Sequence, residues 1–327
     1  MAVITELHRS DIDHILEQYR LGSVDNFRET THGIENSNYF LSVQQDSSGT
    51  DRTEFVLTVL ERETDNRSLV LAALERCSER GLPVPKLVST SDGSTIVNHN
   101  GRDVLIYDRL PGNHVVYPTT QHCAAIGRFL ARMHLILKPL ALDIAYERKL
   151  DWIKRTASEC HQALPKEDSR MLRRAINRVE SMLDRNEIQR IPQGIIHGDL
   201  FRDNVLFNEH GLCGVLDFHH AGYGFWLFDL AIAINDWCTD NGSLDREKTF
   251  AMLREYNSIR NFKNTEYWCF PNFLLYAAVC FWLSRLEVSV RDDLPEGFPR
   301  KDPEEFTEIS RTHLSHPFQI HELVTSI

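Results

Sequence analysis

The sequence is short of several things, and each shortage excludes something. Basic residues are outnumbered, with 36 Lys+Arg against 47 Asp+Glu and a formal net charge of −11. Nucleic acid and anionic membrane both reward clustered cations, so neither is expected as a partner. No long apolar run is present. The longest uncharged apolar stretch, residues 273–283, falls far short of the ~20 residues that span a bilayer and reads as a core helix. The opening MAVITELHRSDID has no apolar segment behind a basic start, so no signal peptide is expected. The seven cysteines are dispersed, odd in number and nowhere spaced CxxC. That fits reduced thiols in a cytoplasmic protein better than a disulfide scaffold or a zinc site. No internal repeat or low-complexity tract is visible.

What remains is ordinary globular material, with 42% hydrophobic and 25% charged residues over 327 positions. That length suits about two domains or one bilobal unit. Residues 38–43 and 54–60 are rich in aromatic and β-branched side chains and flank a turn-type segment, which predicts a hairpin. Val70, Ala73, Leu74 and Cys77 predict a helix over 66–80, closed by Gly81, Pro83 and Pro85. Two further strands are expected at 95–98 and 103–107. Beyond a connector near 108–114 the pattern turns helical, with a stripe of Ile126, Phe129, Leu130, Met133 and Leu137. More helices are expected at 166–187, 226–238, 246–260, 272–290 and 303–313, and short strands at 194–196, 205–207 and 213–216. The expected fold class is α+β and bilobal. A small antiparallel-sheet N-lobe (1–110) would bind nucleotide, and a larger, mostly helical C-lobe (111–327) would carry catalysis and substrate.

The chemistry concentrates in IIHGDLFRDNVLF (195–207), followed by GVLDF (214–218). This is strand, His197-x-Asp199-x4-Asn204, strand, turn, strand, Asp217-Phe218. Protein-kinase catalytic loops share the H-x-D-x4-N spacing and the downstream Asp-Phe. Phosphoryl transfer needs a carboxylate to accept the acceptor hydroxyl's proton and oxygen ligands to hold Mg²⁺ against the phosphates. Asp199 fits the base. Asn204 and Asp217 fit the metal, since Mg²⁺ asks few protein oxygens beside water and phosphate. Each residue alone reads more readily as a turn or strand-end polar group; the joint spacing carries the reading. His197 is expected to support the loop backbone, and Asp229 either to charge a helix N-terminus or to accept hydrogen bonds from the loop.

These motifs resemble the aminoglycoside phosphotransferase and choline kinase superfamily, with its protein kinase-like fold. The match narrows with DLAIAINDWC (229–238), FWLSRL (281–286), GIENSNYF (33–40), FVLT (55–58) and GLPVP (81–85), which are similar to the bacterial homoserine kinase family. The likeness runs from about residue 4 to about 320. It implies ATP- and Mg²⁺-dependent phosphorylation of a small-molecule hydroxyl, that of L-homoserine. It also implies adenine held through the backbone near Asp108, Arg109 and Leu110, and a phosphate-covering turn from Gly33 through Ser37 to Asn38. Another small hydroxyl compound (choline, an aminoglycoside or methylthioribose) and a catalytically dead binding module are the alternatives.

The sequence departs from the superfamily pattern in places. The third strand carries Thr58 where a phosphate-binding Lys is usual, and Arg62 is the candidate replacement. Glu75 then has no Lys to pair with and reads as a surface charge. The nucleotide turn has one glycine, not G-x-G-x-x-G. His219 and His220 follow Asp217-Phe218, and as neighbours on an extended chain they would face opposite ways and share no metal. For a zwitterionic acceptor the candidates are Arg202, Asp236 and Arg285, with an Arg285–Asp236 salt bridge as the plain structural alternative. Trp237 and Trp282 read as core.

Overall fold

The computed structural model describes residues 4–30, 36–44, 52–61, 64–140, 144–294 and 300–316. The chain opens with helix α1 (Arg9–Tyr19) and strands β1 (Ser23–Glu29), β2 (Ser37–Gln44) and β3 (Arg52–Leu60). Helix α2 (Arg67–Glu79) and strands β4 (Val97–His99) and β5 (Arg102–Asp108) follow. The five strands form one antiparallel sheet in the order β1-β2-β3-β5-β4. Along β2 the buried residues are Ser37, Tyr39, Leu41 and Val43, the period of two that a half-covered strand demands.

The helix covering that face is α1. Its Ile12, Ile15, Leu16 and Tyr19 share a core with Tyr39, Leu41, Leu57, Val104 and Ile106. The Tyr19 hydroxyl reaches the carbonyls of Thr95 and Val104, each at 3.0 Å. Neither α1 nor β1 is among the expected elements. Only Val24 is buried along β1, so the pattern there is too faint to read. Helix α2 forms where predicted, but its buried Leu69, Ala73, Leu74 and Cys77 join the large core of the helical part. It therefore leans on the C-lobe and not on the sheet it follows.

The second part contains α3 (Thr120–Leu137), α4 (Leu150–Glu159), α5 (Lys166–Leu183), β6 (Gln193–Ile196), β7 (Val205–Asn208), β8 (Gly211–Val215) and β9 (Gly222–Phe225). It closes with α6 (Trp226–Trp237), α7 (Arg246–Ile259), α8 (Asn264–Ser289) and α9 (Glu304–Ser315). The expected apolar stripe of α3 is buried throughout. Thr119 caps that helix, its Oγ1 accepting from His122 N at 3.3 Å. Gly127 lets α3 touch α7 backbone to backbone, because a Cβ there would sit 2.2 Å from the carbonyl oxygen of Met252. Helices α4 and the strand β9 lie outside the sequence expectation. Helix α8 begins eight residues earlier than expected, because Pro271 is accommodated inside it rather than starting it. By length and composition α8 could cross a membrane, yet 78% of its most apolar window is buried inside the protein. Trp237 and Trp282 are core residues, and all seven cysteines are free thiols.

His313 on α9 is buried between helices, its Nε2 donating to Asn235 Oδ1 at 2.9 Å. Burial, assisted by the Arg178 cation, pushes this imidazole down to about 3. The folded state thus refuses a proton that the unfolded chain accepts near pH 6.5. Stability is complete above that pH and lost as pH falls, at up to about 1.4 kcal/mol per pH unit for such a group. Urea unfolding at pH 7 and pH 5 should show a smaller acid loss in His313→Gln than in wild type.

Candidate active site

Strand β6 delivers the chain into His197-Gly198-Asp199, and a short turn returns it through Asn204 into the β7–β8 hairpin, whose far end presents Asp217. Gly198 adopts φ +77°, and a Cβ there would meet the His220 carbonyl oxygen at 2.7 Å and the Tyr146 ring at 2.5 Å. Only glycine suits both the conformation and the space. Asn204 Nδ2 donates to the Asp199 carbonyl at 2.8 Å and to Asp199 Oδ2 at 3.0 Å. That orientation leaves the Asn204 side-chain oxygen, Oδ1, for another partner. Leu216 N donates to the Asn204 main-chain carbonyl at 2.8 Å, so the residue before Asp217 is bonded to this loop. Asp217 lies in the left-handed region, φ 61° and ψ 65°, with an exposed side chain. A non-glycine residue held there costs about 1–3 kcal/mol, a local strain of the kind that collects at working sites.

Burial pushes the Asp199 carboxyl up to about 8, and the carboxylates of Asp217 and Asp203 push the same way. Arg148 and Lys301 oppose them. His197 is fully buried and held neutral by desolvation. Its Nε2 donates to the Leu216 carbonyl at 2.9 Å, tying the loop to the residue before Asp217. Asp229 accepts from His197 N, Gly198 N and His134 Nε2, each at 2.9 Å. It is a loop anchor, the second of the two roles expected for it. Trp237 adds a bond from its indole nitrogen to the Leu200 carbonyl at 3.1 Å.

The phosphotransferase enzyme family (APH) matches residues 26–262. The chain belongs to that family. It is 36% identical to the homoserine kinase of Cupriavidus pinatubonensis over 322 residues, covering 96% of this chain and 97% of that protein. Among solved structures, a microcompartment-associated aminopropanol kinase superposes with a TM-score of 0.69 at 16% identity, covering 95% of this chain and 98% of the other. An amicoumacin kinase complexed with AMP-PNP and Ca²⁺ gives 0.65 at 17% identity, covering 96% and 94%. Both share the bilobal kinase-like fold.

Within this phosphotransferase, the other expected site residues are placed as follows. Gly33 and Arg62 lie outside the described residues. Ser37 needs a correction. It is 1% exposed, its Oγ accepts from Ile4 N and Thr5 N at 2.9 Å, and it donates to the Glu61 carboxylate. A hydroxyl with three protein partners is not left over for phosphate. Asn38 Oδ1 accepts from Thr58 Oγ1 at 2.6 Å, which is what Thr58 does at the usual lysine position. Glu75 is exposed, as a surface charge should be. In the connector, Asp108 N donates to Lys86 O at 3.0 Å, while Leu110 makes no backbone hydrogen bond to the described residues.

Arg202, Asp236 and Arg285 do come together, but by pairing. Asp236 accepts from Arg202 N at 2.7 Å and from its Nε at 3.2 Å. Arg202 also lies 3.9 Å from Glu305, which takes Arg285 at 2.6 Å. The Arg285–Asp236 bridge is therefore not formed; Glu305 and Arg202 are the respective partners. His219 and His220 diverge as expected, though through a 3₁₀ turn rather than an extended chain. His219 Nε2 meets Asn36 Nδ2 at 3.1 Å, and His220 Nε2 meets Arg148 Nη2 at 3.3 Å.

Sequence reasoning missed three contributors, His134, Asn66 and Arg148. Asn66 precedes α2 at its N-cap, yet makes no capping bond. Its amide instead donates to the carbonyls of His219 at 2.6 Å and Ala221 at 3.0 Å, joining α2 to the segment after Asp217. Asp is as good as Asn at an N-cap but cannot donate. Asn66→Asp loses both donated bonds and sets a carboxylate against the two carbonyls, so kcat/KM should fall about 30-fold, the equivalent of two hydrogen bonds of about 1 kcal/mol each, and the melting temperature should drop. Thermal melts and steady-state kinetics on the same preparation check both halves.

Proposed function

We propose that this phosphotransferase moves the γ-phosphoryl group of ATP to the side-chain hydroxyl of L-homoserine, giving O-phospho-L-homoserine and ADP. The observation that supports it most is the Asp199–Asn204–Asp217 arrangement in a chain collinear, at 36% identity, with a homoserine kinase. Asp199 accepts the hydroxyl proton as that oxygen bonds to the γ-phosphorus. The bond from phosphorus to the β–γ bridging oxygen breaks, and ADP leaves with that electron pair. Raised well above the usual carboxylate range, Asp199 suits proton acceptance near neutral pH.

Asn204 and Asp217 are the residues that would hold Mg²⁺. They fit a hard cation: one free amide oxygen and one exposed carboxylate, with room for phosphate and water. The ion would neutralise charge on the phosphates. The Leu110 backbone, unpaired among the described residues, supports adenine binding at the connector. Arg202, Asp236 and Arg285 lie next to the loop as a paired network, a wall of the acceptor side rather than spare charges.

A coupled ADP-release assay with homoserine, choline, aminoglycosides and methylthioribose, each with Mg²⁺ and with EDTA, tests this. Homoserine is expected to give the highest kcat/KM, and EDTA to abolish it. Turnover of another acceptor in preference, or ATP binding with no turnover at all, would overturn the proposal.

A further inference from the structure

An amino-acid acceptor brings a carboxylate into a site that already holds Asp199, Asp217 and three ATP phosphates. Some cation must receive it. Arg202 and Arg285 are occupied by Asp236 and Glu305. One other arginine faces the base.

Residues 144–148 run alongside the catalytic loop. Tyr223 N donates to Ile144 O at 2.6 Å and Tyr146 N to Tyr223 O at 3.0 Å. The Tyr146 hydroxyl donates to the carbonyl of Gly198, the residue before Asp199, at 3.2 Å. Arg148 follows two positions later. Its guanidinium lies over the Phe281 ring, 5.4 Å from the centroid, and donates to His220 at 3.3 Å. Its own carbonyl is fixed by Cys280 Sγ at 3.8 Å. Among the described residues no carboxylate comes within ion-pair distance of it. Asp199, Glu147 and Glu287 are within its electrostatic reach only. A part-buried guanidinium without an anion is costly, and one held by an aromatic face and an imidazole is oriented in advance.

We propose that Arg148 is the anchor for the acceptor's carboxylate, gripping it bidentately and so selecting an amino acid whose hydroxyl then lies at Asp199. This rests on the homoserine reading. It names the contact that separates an amino acid from a plain amino alcohol. A carboxylate on an oriented guanidinium forms charge-assisted hydrogen bonds, so losing it should cost roughly 10- to 100-fold in acceptor selectivity.

The test compares kcat/KM for L-homoserine with that for L-homoserine amide, which keeps hydroxyl and ammonium but has no carboxylate. Wild type should prefer homoserine by roughly 10- to 100-fold, and Arg148→Met should bring the ratio near one, with KM for ATP little changed. A role for Arg148 confined to tuning Asp199 would lower both acceptors together and leave the ratio intact, which overturns the proposal. Should Arg148→Met not fold, Arg148→Lys carries the same comparison, since it keeps the charge and loses the fork; an unchanged ratio again overturns it. Wild-type enzyme that turns over another acceptor and ignores homoserine would refute the parent reading instead. Homoserine turnover with no preference over the amide would refute only the anchor.

Discussion

Asp199→Asn is expected to lower kcat by about 10²- to 10⁴-fold while ATP affinity stays close to wild type. The substitution is nearly isosteric, and its side-chain oxygen still accepts from Asn204 Nδ2, now at 3.0 Å from Asp199. The loop should therefore hold its shape, and what disappears is the group that takes the proton. In the proposed arrangement ATP is held elsewhere, at the connector and around Asp217, so binding and turnover should separate. Single-turnover kinetics with homoserine, paired with calorimetric ATP titration, measure the two quantities on one protein. Turnover near wild type would mean that the acceptor hydroxyl loses its proton without Asp199, and the mechanism given above would be wrong.

Asp229→Ala should be the more damaging change to the fold. The carboxylate is 0% exposed and receives three donors. Its partner His134 is equally buried, is kept neutral by desolvation, and meets the Tyr256 hydroxyl at 2.8 Å through its other nitrogen. Deletion strands two backbone N–H groups and an imidazole N–H without water. At about 1–3 kcal/mol per stranded donor, the loss should reach several kcal/mol. Urea unfolding measures it directly, and Asp229→Asn, which keeps one acceptor oxygen, should fall between. A variant as stable as wild type would show that the loop needs no anchor.

Much of this site is legible in the sequence because it is local. Asp199, Asn204 and Asp217 lie within nineteen residues of one another, so strand and turn lengths bring them together with no help from distant chain. Asp229 is readable for a related reason, as the acidic residue in the first turn of a largely apolar helix. Arg148 gave no such signal. It stands in a polar stretch, AYERKLDW, and acquires meaning only when that stretch runs alongside Gly198 and under Phe281. Asn66 looks like an ordinary helix cap until its amide is seen turned the other way. Helix α1 was legible too, since Ile12, Ile15, Leu16 and Tyr19 carry the same i, i+3, i+4, i+7 spacing that predicts α2, yet it is missing from the expected elements. For Arg202, Arg285 and Asp236 the residue types were right for a zwitterion, but pairing is a property of three dimensions, and Glu305 reached two of them. Ser37 was drawn to phosphate by its place in a turn, while the real partner, Glu61, sits across the hairpin.

The Asn66 bonds to His219 and Ala221 stay on one side of the cleft, since α2 packs in the large core of the helical part, while the Asn36 bond to His219 starts from the sheet. A swing of the sheet at the connector would break the Asn36 bond, at about 1 kcal/mol, and leave the Asn66 pair intact. The segment after Asp217 is thus held from α2 whichever way the sheet stands. Alignment of Asp217 and admission of ligands are then set by different amides, Asn66 for the first and Asn36 for the second.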